Sequence, residues 1–174
     1  MTDFLPPKFQ DMPASLLDFK WAVFRAEPRP NHPGKFNKAP RSPKSGKLIS
    51  VNQPDSWLTL HHCREAYETG HFTGVGVLMQ ADGWVAIDID DYANLQPGIR
   101  QRVDDWLALC LERDEYIERS PSGKGIRGFV RGYLDGPGRK IGALEMYSKA
   151  RFMTVTGHRL IGPLTTEGDQ HGNH

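Results

Sequence analysis

Residues 74–90 read GVGVLMQADGWVAIDID, two strand-like runs joined by an Ala-Asp-Gly step. Short runs rich in Val and Ile, parted by a turn signal, predict strands at 74–80 and 84–90, with ADG (81–83) as the hairpin turn between them. In WVAIDID alternate side chains point to opposite faces. Val85, Ile87 and Ile89 then form an apolar face, while Trp84, Ala86, Asp88 and Asp90 share the other. Two carboxylates two residues apart at the end of an apolar strand repel each other unless something positive lies between them. A divalent cation with oxygen ligands supplies that charge. An acidic strand end that only caps the following loop carries the same residues, so the pair alone is ambiguous. In KIGALEMYS (140–148), Glu145 is a third acid, sharing a face with Ala143 and Tyr147 and opposed by Leu144 and Met146. Three such acids can hold the two ions, roughly 3.5–4 Å apart, used in phosphoryl and nucleotidyl transfer.

The rest of the chain reads as short elements, as 13 prolines and 18 glycines require. Leu16–Arg25 suggests a short helix running into a strand. Asp55 is a plausible N-cap for a helix striped by Trp57, Leu60, Arg64 and Tyr67 and stopped at Gly70. Pro97 opens a second helix, with Ile99, Val103, Trp106, Leu107 and Cys110 on one face. Strands follow at 116–120 and 126–134, then near KIGALEMYS and RFMTVTG. Helices among adjacent antiparallel strands predict an α+β fold. At 174 residues one domain is expected, over 15–160, between a flexible lead-in (1–14) and a polar tail (161–174). No run approaches the roughly 20 apolar residues of a membrane span. Cys63 and Cys110 cannot form a disulfide framework, which suits a reducing cytoplasm. His61, His62, Cys63 and His71 have the wrong helical spacing for a structural zinc site.

The net charge is +1, yet between Arg25 and Lys47 seven cations face Glu27 alone, among five prolines. This reads as an extended basic loop, either a solvated linker or a phosphate-binding arm. Farther on, SPSGKGIRG (120–128) joins two short strands. Gly123 and Gly125 permit an open turn whose amides can cradle phosphate, and Lys124 adds charge. Past the turn Arg127, Phe129 and Arg131 share a face, so Arg127 can stand beside the acids. Acids to hold ions and bases to hold polyphosphate are what a nucleoside triphosphate requires.

In this order the motifs resemble the archaeo-eukaryotic primase superfamily, specifically the primase-polymerase domains of phage and plasmid replication proteins. The resemblance spans about residues 20–160. It is carried by Asp88-Ile89-Asp90, by Ser120 to Arg127, and by Glu145-Met146-Tyr147. Arg151 to Gly157, Lys38-Ala39-Pro40 and Pro54 to Trp57 support it. It implies an RRM-like catalytic sheet with a smaller N-terminal α/β lobe, and template-directed nucleotidyl transfer. By similarity, Asp88, Asp90 and Glu145 would hold two divalent ions, Mg²⁺ or Mn²⁺. Ser122, Gly123, Lys124, Gly125 and Arg127 would meet the phosphates of a dNTP or NTP. Arg151, Tyr147 and His158 are further nucleotide contacts, and Lys35, Lys38, Arg41 and Lys44 would touch a DNA template or primer. A replicative helicase domain, in this or another chain, is an expected partner; a bacterial host cytoplasm is the expected setting, with no membrane. The family commonly has His where this sequence has Arg127, which offers phosphate a planar fork of donors but cannot shuttle a proton near neutrality. Two other readings remain open: a metal-dependent nuclease using Asp88, Asp90, Glu145 and Lys149, and a non-catalytic nucleic-acid-binding replication module.

Overall fold

The structure, a computed structural model, describes residues 4–80, 83–136 and 138–161. In chain order the strands and helices are β1 (Trp21–Phe24), β2 (Glu27–Pro28), β3 (Phe36–Asn37), β4 (Pro40–Arg41), α1 (Leu60–Glu68), β5 (Gly74–Gln80), β6 (Trp84–Ile89), α2 (Pro97–Glu112), β7 (Tyr116–Arg119), β8 (Ile126–Arg131), β9 (Gly138–Ile141), β10 (Leu144–Tyr147) and β11 (Lys149–Val155). They form a four-stranded sheet in the order β11-β5-β1-β4, a five-stranded sheet in the order β7-β8-β6-β10-β9, and the small pair β2-β3. Every pairing is antiparallel, giving the α+β architecture expected.

One expectation is overturned. β5 and β6 do not pair as a hairpin; they belong to different sheets. β5 is buried from Gly74 to Met79 and flanked by β1 and β11, so it has no free edge to offer. Ala81 and Asp82 of the expected turn lie outside the described residues, as does the tail beyond Ile161. The four-stranded sheet is not built from the N-terminal half alone, because β11 completes it.

The first helix starts later than expected. Thr59 is the N-cap, Cys63 and Ala66 are its buried residues, and Pro54–Ser56 is a separate 3₁₀ turn. Trp57 is extended and fully buried, its indole N–H donating to the Ser50 carbonyl. Residues expected to be a loose lead-in are tied down where described. The Leu5 amide donates to the Pro121 carbonyl, the Lys8 amide to the Thr156 carbonyl, and Met12 is buried.

The five-stranded sheet has two different faces. Val85, Ile87, Ile89, Ile117 and Ile126 pack with Val103, Leu107 and Cys110 of α2. The other face gives Trp84, Ala86, Tyr116 and Phe129 to a core shared with Trp21, Val23, Val75, Val77 and Met153 of the four-stranded sheet. Each fully buried side chain of this size contributes about 1.5–3 kcal/mol. Cys63 and Cys110 are free and buried, and burial raises their thiols to about 12 and about 11. Among the described residues no helix is long and apolar enough to cross a membrane.

Candidate active site

Register creates the site. Across the five-stranded sheet the direct partners run Glu118 on β7, Arg127 on β8, Asp88 on β6, Glu145 on β10 and Lys140 on β9. Five charged side chains therefore stand in one row, with signs −, +, −, −, +. Like charges directly opposite each other destabilise a sheet, so Asp88 beside Glu145 is its unfavourable step. Asp90 follows two residues after Asp88, at the strand's end.

Each acid of that step is met by a protein cation. Arg127 Nε lies 3.0 Å from Asp88 Oδ1 and Nη2 lies 3.3 Å from Oδ2, a two-pronged contact. Its third nitrogen, Nη1, donates to the Thr154 carbonyl of β11 at 3.1 Å, tying one sheet to the other. Burial favours a neutral guanidine, but Asp88, Glu118 and Asp90 outweigh it and hold Arg127 more firmly protonated than usual. Glu145 accepts from Lys140 and from the Tyr147 hydroxyl, and these donors lower its pKa. Arg151 lies 3.9 Å from Glu145 and stacks over the Tyr147 ring at 4.3 Å.

Glu118 is the residue the sequence reading missed. It is fully buried and accepts from the Tyr116 hydroxyl at 2.7 Å and from the amides of Thr156 and Gly157. Burial raises its pKa, while those donors and Arg127 oppose the shift. The available signal is parity: Glu118 shares a face with Tyr116, opposite Ile117. Lys140 was also missed, because 140–148 was read without a hairpin. Gly142, at a φ of 61°, makes the turn that brings Lys140 back onto Glu145.

The charged row from Arg127 to Lys140 floors a cleft of about 1610 Å³. Lys35, Lys38, Asp88, Asp90, Ser122, Gly123, Lys124, Arg127, Glu145 and Arg151 line it, so most of the expected site residues meet there. Lys38 comes from the loop before β4 and is driven down to about 8 by burial and then by Arg127, against the pull of Asp88 and Asp90. Thr154 also lines the cleft, with a buried hydroxyl that has no hydrogen-bond partner among the described residues.

Other expected residues have internal partners. Arg41 bonds to Glu27 at 2.6 Å and to the Gly46 carbonyl. His158 bonds through Nε2 to the Pro6 carbonyl at 2.8 Å, and Lys44 is exposed on the loop. The glycine turn is more closed than its composition suggests. The Gly123 amide donates to the Ser120 carbonyl and the Gly125 amide to Ser120 Oγ. Gly125 is required by close approach, since a Cβ there would stand 2.6 Å from the Ile89 carbonyl oxygen. The turn is thus pressed against the end of the Asp88 strand, placing the exposed Lys124 at the cleft.

Asp88, Asp90 and Glu145 are an all-oxygen set, matching what Mg²⁺ or Mn²⁺ prefers. In the side-chain positions seen here no three acidic, His or Cys groups converge on one point among the described residues. Asp88 is turned to Arg127, and Glu145 to Lys140. Donor chemistry and register fit a divalent ion, provided Glu145 exchanges Lys140 for it.

Fold and site together define an antiparallel α+β protein whose acidic centre is rimmed by lysines and arginines in one open cleft. No family model matches the chain. It is similar to the DNA primase-polymerase of Nitratiruptor phage NrS-1, at 29% identity over 155 residues, a match covering 82% of this chain. The chain spans about one fifth of that protein's length (20%). This similarity supports a primase-polymerase relationship.

Proposed function

We propose that the chain is the nucleotidyl-transferring part of a DNA primase-polymerase in phage or plasmid replication. The observation carrying this reading is the unfavourable Asp88–Glu145 step, facing a cleft lined by Lys38, Lys124 and Arg151. A stable sheet does not need two adjacent carboxylates, whereas a site for a metal-bound triphosphate does. The similarity to a phage primase-polymerase supports the same reading.

Asp88, Asp90 and Glu145 would hold two Mg²⁺ or Mn²⁺ ions. The chemistry such ions supply is activation of a primer 3′-hydroxyl and stabilisation of the leaving pyrophosphate. Lys38 and Lys124 neutralise the triphosphate, and Ser122 offers it a hydroxyl. Arg127 has a different part from the one motif spacing suggests. With its three nitrogens engaged by Asp88 and Thr154, it fixes the Asp88 carboxylate rather than reaching for phosphate. The substrates are a dNTP or NTP and a primed DNA template. A helicase domain elsewhere in the replication machinery and a bacterial cytoplasm complete the proposal.

The test is extension of a labelled primed template with dNTPs and Mg²⁺ or Mn²⁺. Extension by the protein, reduced at least about 1,000-fold in Asp88→Ala/Asp90→Ala, is expected. Shortened primers would instead identify a nuclease, and salt-sensitive binding with no change in the primer a binding module.

A further inference from the structure

Two cations of the basic loop are drawn inward, while Arg29, Lys35, Lys44 and Lys47 stay exposed. Lys38 is drawn into the acidic cleft and Arg41 is bound to Glu27. A different concentration of positive charge lies where β9 and the end of β10 face the start of β11. There Arg139, Lys140, Lys149 and Arg151, with Gly138, Tyr147 and Ala150, line a second, shallow groove of about 330 Å³. The sequence reading absorbed only Arg151 and Tyr147 of this set into a binding role.

Three features make this groove more than scattered surface charge. It is continuous with the main cleft, since Lys140, Ala150 and Arg151 line both. β11 is irregular where it borders the groove: its register with β5 shifts between Lys149 and Arg151, and Ala150 sits at a φ of 51°. A non-glycine residue at positive φ is uncommon, and a bulge of this kind re-aims the side chains around it. Finally, the Arg151 guanidinium lies over the Tyr147 ring, 4.3 Å from its centroid, while half of its side chain stays exposed. A guanidinium backed by an aromatic ring presents a planar outer surface on which an unpaired base can stack.

We propose that this groove binds the phosphodiester backbone of a single-stranded nucleic acid, the template strand as it enters the cleft, with one base stacked on Arg151. The proposal rests on the nucleotidyl-transfer reading only in naming that strand the template. A duplex buries its base faces and gains nothing from the Arg151–Tyr147 stack. The route along the lip delivers the strand to the Asp88–Glu145 step.

The experiment is fluorescence anisotropy of a labelled single-stranded 20-mer, titrated at several salt concentrations, with the protein and with Arg139→Glu/Lys149→Glu. Both residues are exposed and outside the acid centre. The variant should bind at least about tenfold more weakly, and its log–log salt slope should fall by about 1.4, two single-strand phosphate contacts. Its melting temperature and dNTP affinity should not change. Arg139→Gln/Lys149→Gln should show a smaller loss in the same direction, excluding an artefact of reversed charge. Unchanged affinity, or no binding of the 20-mer by the unaltered protein, overturns the proposal. So does an equal loss on a blunt duplex. Primer extension in the same samples reports separately: binding through this groove without extension would remove the polymerase reading and leave the groove standing.

Discussion

Two neighbouring rows on one face of the five-stranded sheet have opposite fates. One runs Tyr116, Phe129, Ala86, Tyr147, Gly138; the next, two residues along each strand, runs Glu118, Arg127, Asp88, Glu145, Lys140. They are about 7 Å apart on identical strands with identical pleat. In the first, Tyr116, Phe129 and Ala86 are buried in the core shared by the two sheets. The second borders an open cleft, except at the buried Glu118; Glu118 and Arg127 also reach across to β11 and the residues following it. Alternation therefore decides which face a residue takes. Whether that position is core or site depends on how far the other sheet covers it.

Substitution in either row distinguishes core from site. Phe129→Ala removes a fully buried ring and should lower stability by about 3–5 kcal/mol, read by denaturant unfolding; a loss below about 1 kcal/mol would mean that the first row is not core. Glu118→Gln keeps the shape but replaces a carboxyl oxygen in a group that accepts from two backbone amides and sits beside Arg127. It should cost about 1–3 kcal/mol, and an unaltered unfolding curve would show that it does not hold the sheets together.

Lys38→Met should have the opposite sign. Burial and Arg127 bring the folded pKa to about 8 from 10.5, so the folded state binds fewer protons than the unfolded state between these values. The penalty of charging Lys38 is complete below pH 8 and disappears as pH rises toward 10.5. The metal-free variant should thus melt higher than the parent at pH 7, by at least about 2 °C, with the gap closing above pH 10. The same substitution should weaken dNTP binding. An unchanged melting point would place Lys38 in solvent, and a lower one would mean that Asp88 and Asp90 outweigh its burial.

The smallest effect is expected at Arg41→Ala. Its partly exposed pair with Glu27 is worth about 0–1 kcal/mol, and DNA affinity should not move. A clear loss of DNA binding would return the basic loop to the role its composition suggests.

Much of this was legible in the sequence. Parity alone put Asp88, Asp90, Glu145 and Arg127 on the polar side of apolar strands, and the α2 stripe marked the helix covering their backs. Strand order was not legible, because register is set by long-range pairing. GVGVLMQ and WVAIDID looked like partners because they are neighbours in sequence, yet β5 is claimed by β1 and β11. For the same reason Arg127 appeared free for phosphate, when its cross-strand partner is Asp88. The glycine turn promised open amides, but Ser120 takes two of them. Composition cannot show which donors a turn keeps for itself.

We read the Asp88–Glu145 step of the charged row as built for chemistry rather than stability. Glu145→Gln tests it most directly, with melting temperature and primer extension measured on the same preparation. The account predicts a melting temperature within about 2 °C of the parent, because the pairs Glu145 makes with Lys140 and Arg151 involve exposed cations, and loss of extension. A variant that extends primers normally, or one that unfolds, would contradict it.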